Sequence, residues 1–167
     1  QEKKEQFSQP RNKGVKGKVI VLVAIVAVAL GLGGFLYTQE AEDGGYSRVE
    51  SVNGEVRIAL DRISDGQAHY FTYPSAQGTL QFFVIKSSDG VIRAAFDACD
   101  VCYREKKGYR QEGEMMVCNN CGQKFHSSLI NVVKGGCNPA PLNRRIEGDR
   151  LVIRDRDLLT GAWFFNG

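Results

Sequence analysis

Past residue 48 the chain alternates short apolar runs with turn-forming residues, the pattern of strands joined by hairpins. Residues 49–60 (VESVNGEVRIAL) carry Asn53-Gly54, a hairpin-turn signal. Residues 69–73 (HYFTY) form a short aromatic stretch stopped by Pro74. Residues 80–85 (LQFFVI) and 91–96 (VIRAAF) flank Lys86-Ser87-Ser88-Asp89-Gly90, a second hairpin signal. Residues 145–154 (RIEGDRLVIR) turn at Gly148-Asp149, with Val152, Arg154 and Arg156 expected on one face and Leu151 and Ile153 on the other. The best helix candidate, residues 125–133 (FHSSLINVV), is short. The pattern predicts a mainly β fold with a minor α component, compact over residues 48–167.

A different pattern precedes it. Residues 19–37 (VIVLVAIVAVALGLGGFLY) hold no charge and no strongly polar side chain. As a helix they would extend roughly 28 Å, about the hydrocarbon thickness of a bilayer. The run is longer than the core of a secretory signal, and TQEAEDGG after it matches a cleavage site poorly. We therefore expect a single transmembrane anchor, with residues 38–47 as an acidic linker to the β-rich domain.

Charge then sets the orientation. Residues 1–18 carry six Lys and Arg against two Glu, while the far flank opens with Glu40, Glu42 and Asp43. The positive-inside tendency puts residues 1–18 in the cytoplasm as a basic tail and the domain outside, in the periplasm or its equivalent, moored to the cytoplasmic (inner) membrane. Most of the net charge of +3 belongs to that tail. The near-neutral domain has no basic excess with which to bind nucleic acid.

Four of the five cysteines form two Cys-x-x-Cys pairs, Cys99/Cys102 and Cys118/Cys121, with fifteen residues between them. Two tight turns of this kind deliver four soft donors to one tetrahedral cation, and the spacing is a recognised zinc-site spacing. Four thiolates suit iron, alone or in a cluster, equally well. Gly122 follows the second pair, where a knuckle needs a small residue. Two disulfides with one spare thiol are the structural alternative outside the cytoplasm. A thioredoxin-type motif fits less well, because neither pair opens a helix, and c-type haem is disfavoured because Tyr103 and Gly122, not His, follow the pairs. Cys137, in Lys134-Gly-Gly-Cys-Asn-Pro139, is either a further ligand presented by a glycine turn or a packed thiol. His126, five residues past Cys121, is either a ligand or an ordinary surface or core histidine. His69 reads as a packed residue, Met115 and Met116 equally as thioether donors to copper or as strand residues, and Lys106, Lys107 and Arg110 as a solvated loop that offsets thiolate charge.

The runs AFDACDVCYREKKGY, MVCNNCGQKF and INVVKGGCNPAPL resemble the membrane iron-sulfur-containing, FtrD-like domain of bacteria, over roughly residues 52–159. The resemblance implies roles for Cys99, Cys102, Cys118, Cys121 and Cys137, an iron or iron-sulfur cofactor with zinc as the alternative, and association with iron transport systems and ABC-type permease operons. Three functions follow as expectations. The domain is a membrane-tethered metal or redox module serving an integral-membrane partner, a zinc- or disulfide-stapled interaction subunit of a permease, or a thiol-disulfide protein. No paired carboxylates, Ser-His-Asp set or phosphate loop point to an enzyme with its own substrate.

Overall fold

The computed structural model describes residues 42–43 and 45–166. The basic tail and the expected anchor lie outside the described residues. Among those described, no helix is long and apolar enough to cross a membrane.

The largest sheet contains β1 (Glu42–Asp43), β2 (Tyr46–Arg48), β4 (His69–Ser75), β5 (Gly78–Lys86) and β6 (Ile92–Phe96), side by side in that order. Neighbours are antiparallel except β2 and β4, which run parallel. A second, antiparallel sheet orders β10 (Arg145–Glu147), β11 (Arg150–Arg154) and β3 (Glu55–Ala59). A third joins β7 (Tyr109–Glu112), β8 (Met115–Cys118) and β9 (Lys124–His126), also antiparallel. The one α-helix among the described residues, α1 (Asp155–Leu159), follows β11 directly.

The sequence of β5 explains how these layers stack. Its central run, Phe82-Phe83-Val84-Ile85, is buried without a break, so both faces of the sheet are covered. Side chains alternate across a strand, and the two cores follow that alternation. Phe82 and Val84 join Phe71, Ala94 and Phe96 against Val56, Ile58, Leu151 and Ile153 of the second sheet. Phe83 and Ile85 join Ala95 on the opposite face, with Tyr109, Met116, Cys99 and Cys118. The third sheet and two of the cysteines are thus part of the second core.

Two segments differ from the pattern-based expectation. The acidic stretch read as a linker contributes β1 and β2, because Tyr46 packs edge-on against Tyr70 of β4 and its hydroxyl donates to Asp97. Residues 125–133 are not a helix. Phe125 pairs with Met116, a 3₁₀ turn covers Ser127–Leu129, and Asn131 adopts a φ of +68° that interrupts any helical path. Val152 is buried, as are its neighbours Leu151 and Ile153. The hairpins at Gly148-Asp149 and between β5 and β6 form as expected.

Gly161 shows how tightly the first core is closed. A Cβ there would lie 2.3 Å from the Phe96 ring. Gly161→Ala is expected to cost about 1–3 kcal/mol through overpacking. Urea denaturation of the domain measures the loss, and an unchanged midpoint would contradict this packing.

Candidate metal centre

Three chain segments deliver the five cysteines. Cys99 and Cys102 lie in the turn that follows β6. The chain then passes through a short 3₁₀ turn, Tyr103–Glu105, and returns as β7. In the β7–β8 hairpin Tyr109 pairs with Cys118, so the intervening residues bring the second cysteine pair back beside the first. Asn119 reinforces the closure: its N–H donates to the Gly108 carbonyl at 3.0 Å, and its amide nitrogen donates to the Lys107 carbonyl at 2.8 Å.

Each pair is a knuckle in which backbone N–H groups point at sulfur. The Cys102 N–H donates to Cys99 Sγ at 3.2 Å. Backbone N–H groups of Asn120 and Cys121 serve Cys118 in the same way, and that of Gln123 serves Cys121. Gly122 closes the second knuckle at a φ of +74°, with its N–H on the Cys118 carbonyl at 2.9 Å.

Cys137 arrives from the other side. Arg93 is buried in β6, where its guanidinium forks onto Asp89 and donates to the Ile130 carbonyl at 3.0 Å. This contact and the Asn131 amide on the Ala94 carbonyl, at 2.8 Å, pin the start of the loop. Its end pairs back on the segment after β6, with the Ala140 N–H on the Ala98 carbonyl at 2.9 Å. Between these anchors Gly135 and Gly136, both at positive φ, let the chain turn so that Cys137 Sγ lies 3.8 Å from Cys102 Sγ.

The thiols form two overlapping triads: Cys99, Cys102 and Cys118, and Cys102, Cys121 and Cys137. Within each, all sulfur atoms lie within 4.8 Å of one another. Cys102 belongs to both. All five cysteines are free thiols, so neither Cys-x-x-Cys pair is closed by a disulfide. Cys99 and Cys118 are buried, Cys102 and Cys137 half-buried, and Cys121 exposed. Burial pushes the Cys118 thiol up to about 11 against opposing backbone hydrogen bonds. Burial raises Cys137 as well, with Cys121 and Cys102 adding to it. The Gln123 N–H holds Cys121 down at about 7, within reach of the thiolate near neutral pH. Five sulfur donors free of carboxylate oxygen, with N–H groups aimed at three of them, form a set chemically suited to zinc, iron or an iron-sulfur cluster.

His126 lies outside both triads. Its ring nitrogens meet Ser128 Oγ at 2.7 Å and Glu114 Oε2 at 2.8 Å. His69 meets Asp65 at 2.8 Å. Met116 is fully buried as a strand residue.

The residues that support the site were not legible as such. Asp97, at the end of β6, is buried beside the first knuckle and accepts the Tyr46 hydroxyl and, at 2.7 Å, the Tyr109 N–H. Tyr109 in turn donates its hydroxyl to the Cys137 carbonyl at 2.6 Å, and burial followed by its contact with Cys99 raises its pKa. Asp97 thus ties the edge strand to β7, and Tyr109 ties β7 to the Cys137 loop. The one sequence signal was Gly108 ahead of Tyr109. Gly108 has a φ of +60°, and a Cβ there would fall 2.1 Å from the Asp97 carboxylate.

Two outcomes follow from this arrangement. Gly108→Ala combines backbone strain with that clash and is expected to destabilise the domain by about 2–4 kcal/mol, measured as a lowered denaturant midpoint. Asp97 carries a pKa raised by burial to about 6, against the lowering effect of its two hydrogen bonds. The folded state therefore holds this proton more tightly than the unfolded chain. Asp97's contribution to stability is fully present below about pH 4 and declines as pH rises to about 6, by about 3 kcal/mol in total. Asp97→Asn should flatten that part of the stability profile of the metal-free protein between about pH 4 and 7, and parallel profiles for the two proteins would refute it.

No curated protein matches the chain. Among solved structures, the quaternary ammonium Rieske monooxygenase CntA in complex with an inhibitor is similar over 59% of this chain and 30% of its own, at 15% identity and a TM-score of 0.40. The chain thus spans about a third of that enzyme. Residues 63–165, which hold all five cysteines and the strands that present them, match the family described as "Membrane iron-sulfur containing protein FtrD-like", and the chain belongs to that family.

Proposed function

We propose that this protein is a membrane-anchored, extracytoplasmic thiolate centre that holds iron, as an ion or an iron-sulfur cluster, and acts as a redox or metal-delivering component of an iron transport system. The observation that carries this reading is the graded burial of one connected set of five thiols, from Cys99 and Cys118 inside to Cys121 at the surface. A purely structural staple has no need of an exposed donor. A centre that exchanges electrons or metal with a partner does. Membrane-family membership and the apolar run at residues 19–37 support the anchored location.

In this reading Cys99, Cys102 and Cys118 hold the group from the domain side, and Cys121 and Cys137 face the solvent side of the same cluster. The bound iron supplies one-electron redox chemistry or a transferable cation. The chain's own residues position the donors and exclude water. Phe83, Ile85 and Met116 form the apolar floor behind Cys99 and Cys118. Backbone N–H groups stabilise the sulfur charge. Tyr109 holds the Cys137 loop against the knuckles. Lys106 and Lys107 line the cleft beside Cys99, Cys102 and Cys118, where positive charge offsets that of thiolates.

Anaerobic purification of the full chain, followed by iron, zinc and acid-labile sulfide analysis and a visible spectrum, tests the assignment. We expect iron with thiolate-to-iron absorption, lost in Cys99→Ser and Cys118→Ser. Stoichiometric zinc without colour would select the structural staple, and metal-free protein would remove the proposal altogether. Cys118 keeps its proton well above neutral pH, so a cation must displace it on binding. Affinity for a divalent ion should therefore rise with pH, by up to about tenfold per unit for each proton released, as read from competition with a chelator of known pH dependence.

A further inference from the structure

A tetrahedral thiolate site takes four donors, and this one offers five. The arrangement indicates how the surplus is used. The thiols are not five equivalent ligands around one point but two triads hinged on Cys102. The inner pair is fixed. Cys99 is 1% exposed and Cys118 2% exposed, both within the second core, and Cys118 is further held in the β8 ladder. The outer pair lies nearer the solvent. Cys121 is exposed, and Cys137 sits half-buried on a turn of two consecutive glycines at φ of +84° and +65°. A cation arriving from solvent meets the outer sulfur atoms first.

Resting on the metal-binding reading above, we infer that the five thiols divide the work: Cys121 and Cys137, with Cys102, capture an incoming thiophilic divalent cation, and Cys99 and Cys118, again with Cys102, retain it. Cys102 belongs to both sets, so the cation keeps one sulfur throughout its passage. In capture each new metal–sulfur bond displaces one water from the cation and releases the proton of any thiol that binds protonated; in the passage inward Cys99 and Cys118 each give up a proton and displace Cys121 or Cys137, whose sulfur leaves the cation and takes a proton up. No electron moves, and neither oxidant nor reductant is needed. The fifth thiol is then explained: capture and retention each need a partner set, and one shared cysteine joins them.

The division separates two rates that a single four-ligand site would couple. Full chain in detergent, reduced and metal-free under anaerobic conditions, is mixed with cobalt(II), and thiolate-to-cobalt absorption is followed by stopped flow. Loaded protein is then challenged with excess EDTA. Cys121→Ser and Cys137→Ser are expected to slow uptake by about tenfold or more while release to EDTA stays within about threefold of the parent. Cys99→Ser is expected to show the converse, fast capture and rapid loss. Uptake at the parental rate in both outer variants, or release accelerated in them as much as uptake is slowed, would overturn the division of labour. Absence of any cobalt–thiolate absorption in the parent chain would instead overturn the metal-binding reading. The outer variants alone decide the question, because Cys121 is exposed and Cys137 only half-buried at the edge of the second core, and a folding defect in Cys99→Ser leaves their rates unchanged.

Discussion

The pairing of Tyr109 with Cys118 across the β7–β8 hairpin is the constraint on which the candidate centre depends. The two Cys-x-x-Cys pairs are fifteen residues apart, and a flexible excursion of that length would leave them to find each other at a cost in chain entropy. Here a ladder of backbone hydrogen bonds fixes the return. A slip of one residue in that register would turn Cys118 to the opposite face of the strand and Val117 toward the knuckle, because side chains alternate along a strand. Met116, fully buried two residues before Cys118 on the same face, holds the register against such a slip.

That hairpin is in turn held by the central sheet. The sheet buries both faces, and the face carrying Phe83, Ile85 and Ala95 is the floor of the thiol cluster. Metal-site geometry and hydrophobic packing are therefore not separate tasks in this domain. Cys99 and Cys118 behave as small core residues and as donors at once. The gradient from these buried thiols to the exposed Cys121 follows from where the second core ends.

Asp97 is the polar counterpart of that floor. A buried carboxylate is costly unless its oxygens are satisfied, and here Tyr46 and the Tyr109 N–H satisfy it. Through it, β2, β6 and β7 are connected at one point. The close approach of Gly108 to its carboxylate leaves no room for a side chain. Tyr109 extends the connection to the Cys137 carbonyl, so the third cysteine segment is secured by the same cluster of contacts that secures the first two.

Spacing and period determined a good part of this in advance. The Cys-x-x-Cys pairs are local in sequence, and a knuckle is a local structure, so both were legible, as were the hairpins at Asp89-Gly90 and Gly148-Asp149 and the β-rich character of the domain. What lay beyond the sequence was every relation between distant segments. The acidic stretch around Tyr46 looks like a linker because its partners, Asp97 and Tyr70, are remote in the chain. Residues 125–133 look helical because periodicity cannot register the ladder that draws Phe125 to Met116. Cys137 was ambiguous because its place 3.8 Å from Cys102 depends on anchors in β6, and the sharing of Cys102 between two triads has no local signature at all. Local chemistry is written in neighbouring residues, whereas convergence is decided by packing and register, which act only once the whole sheet has closed.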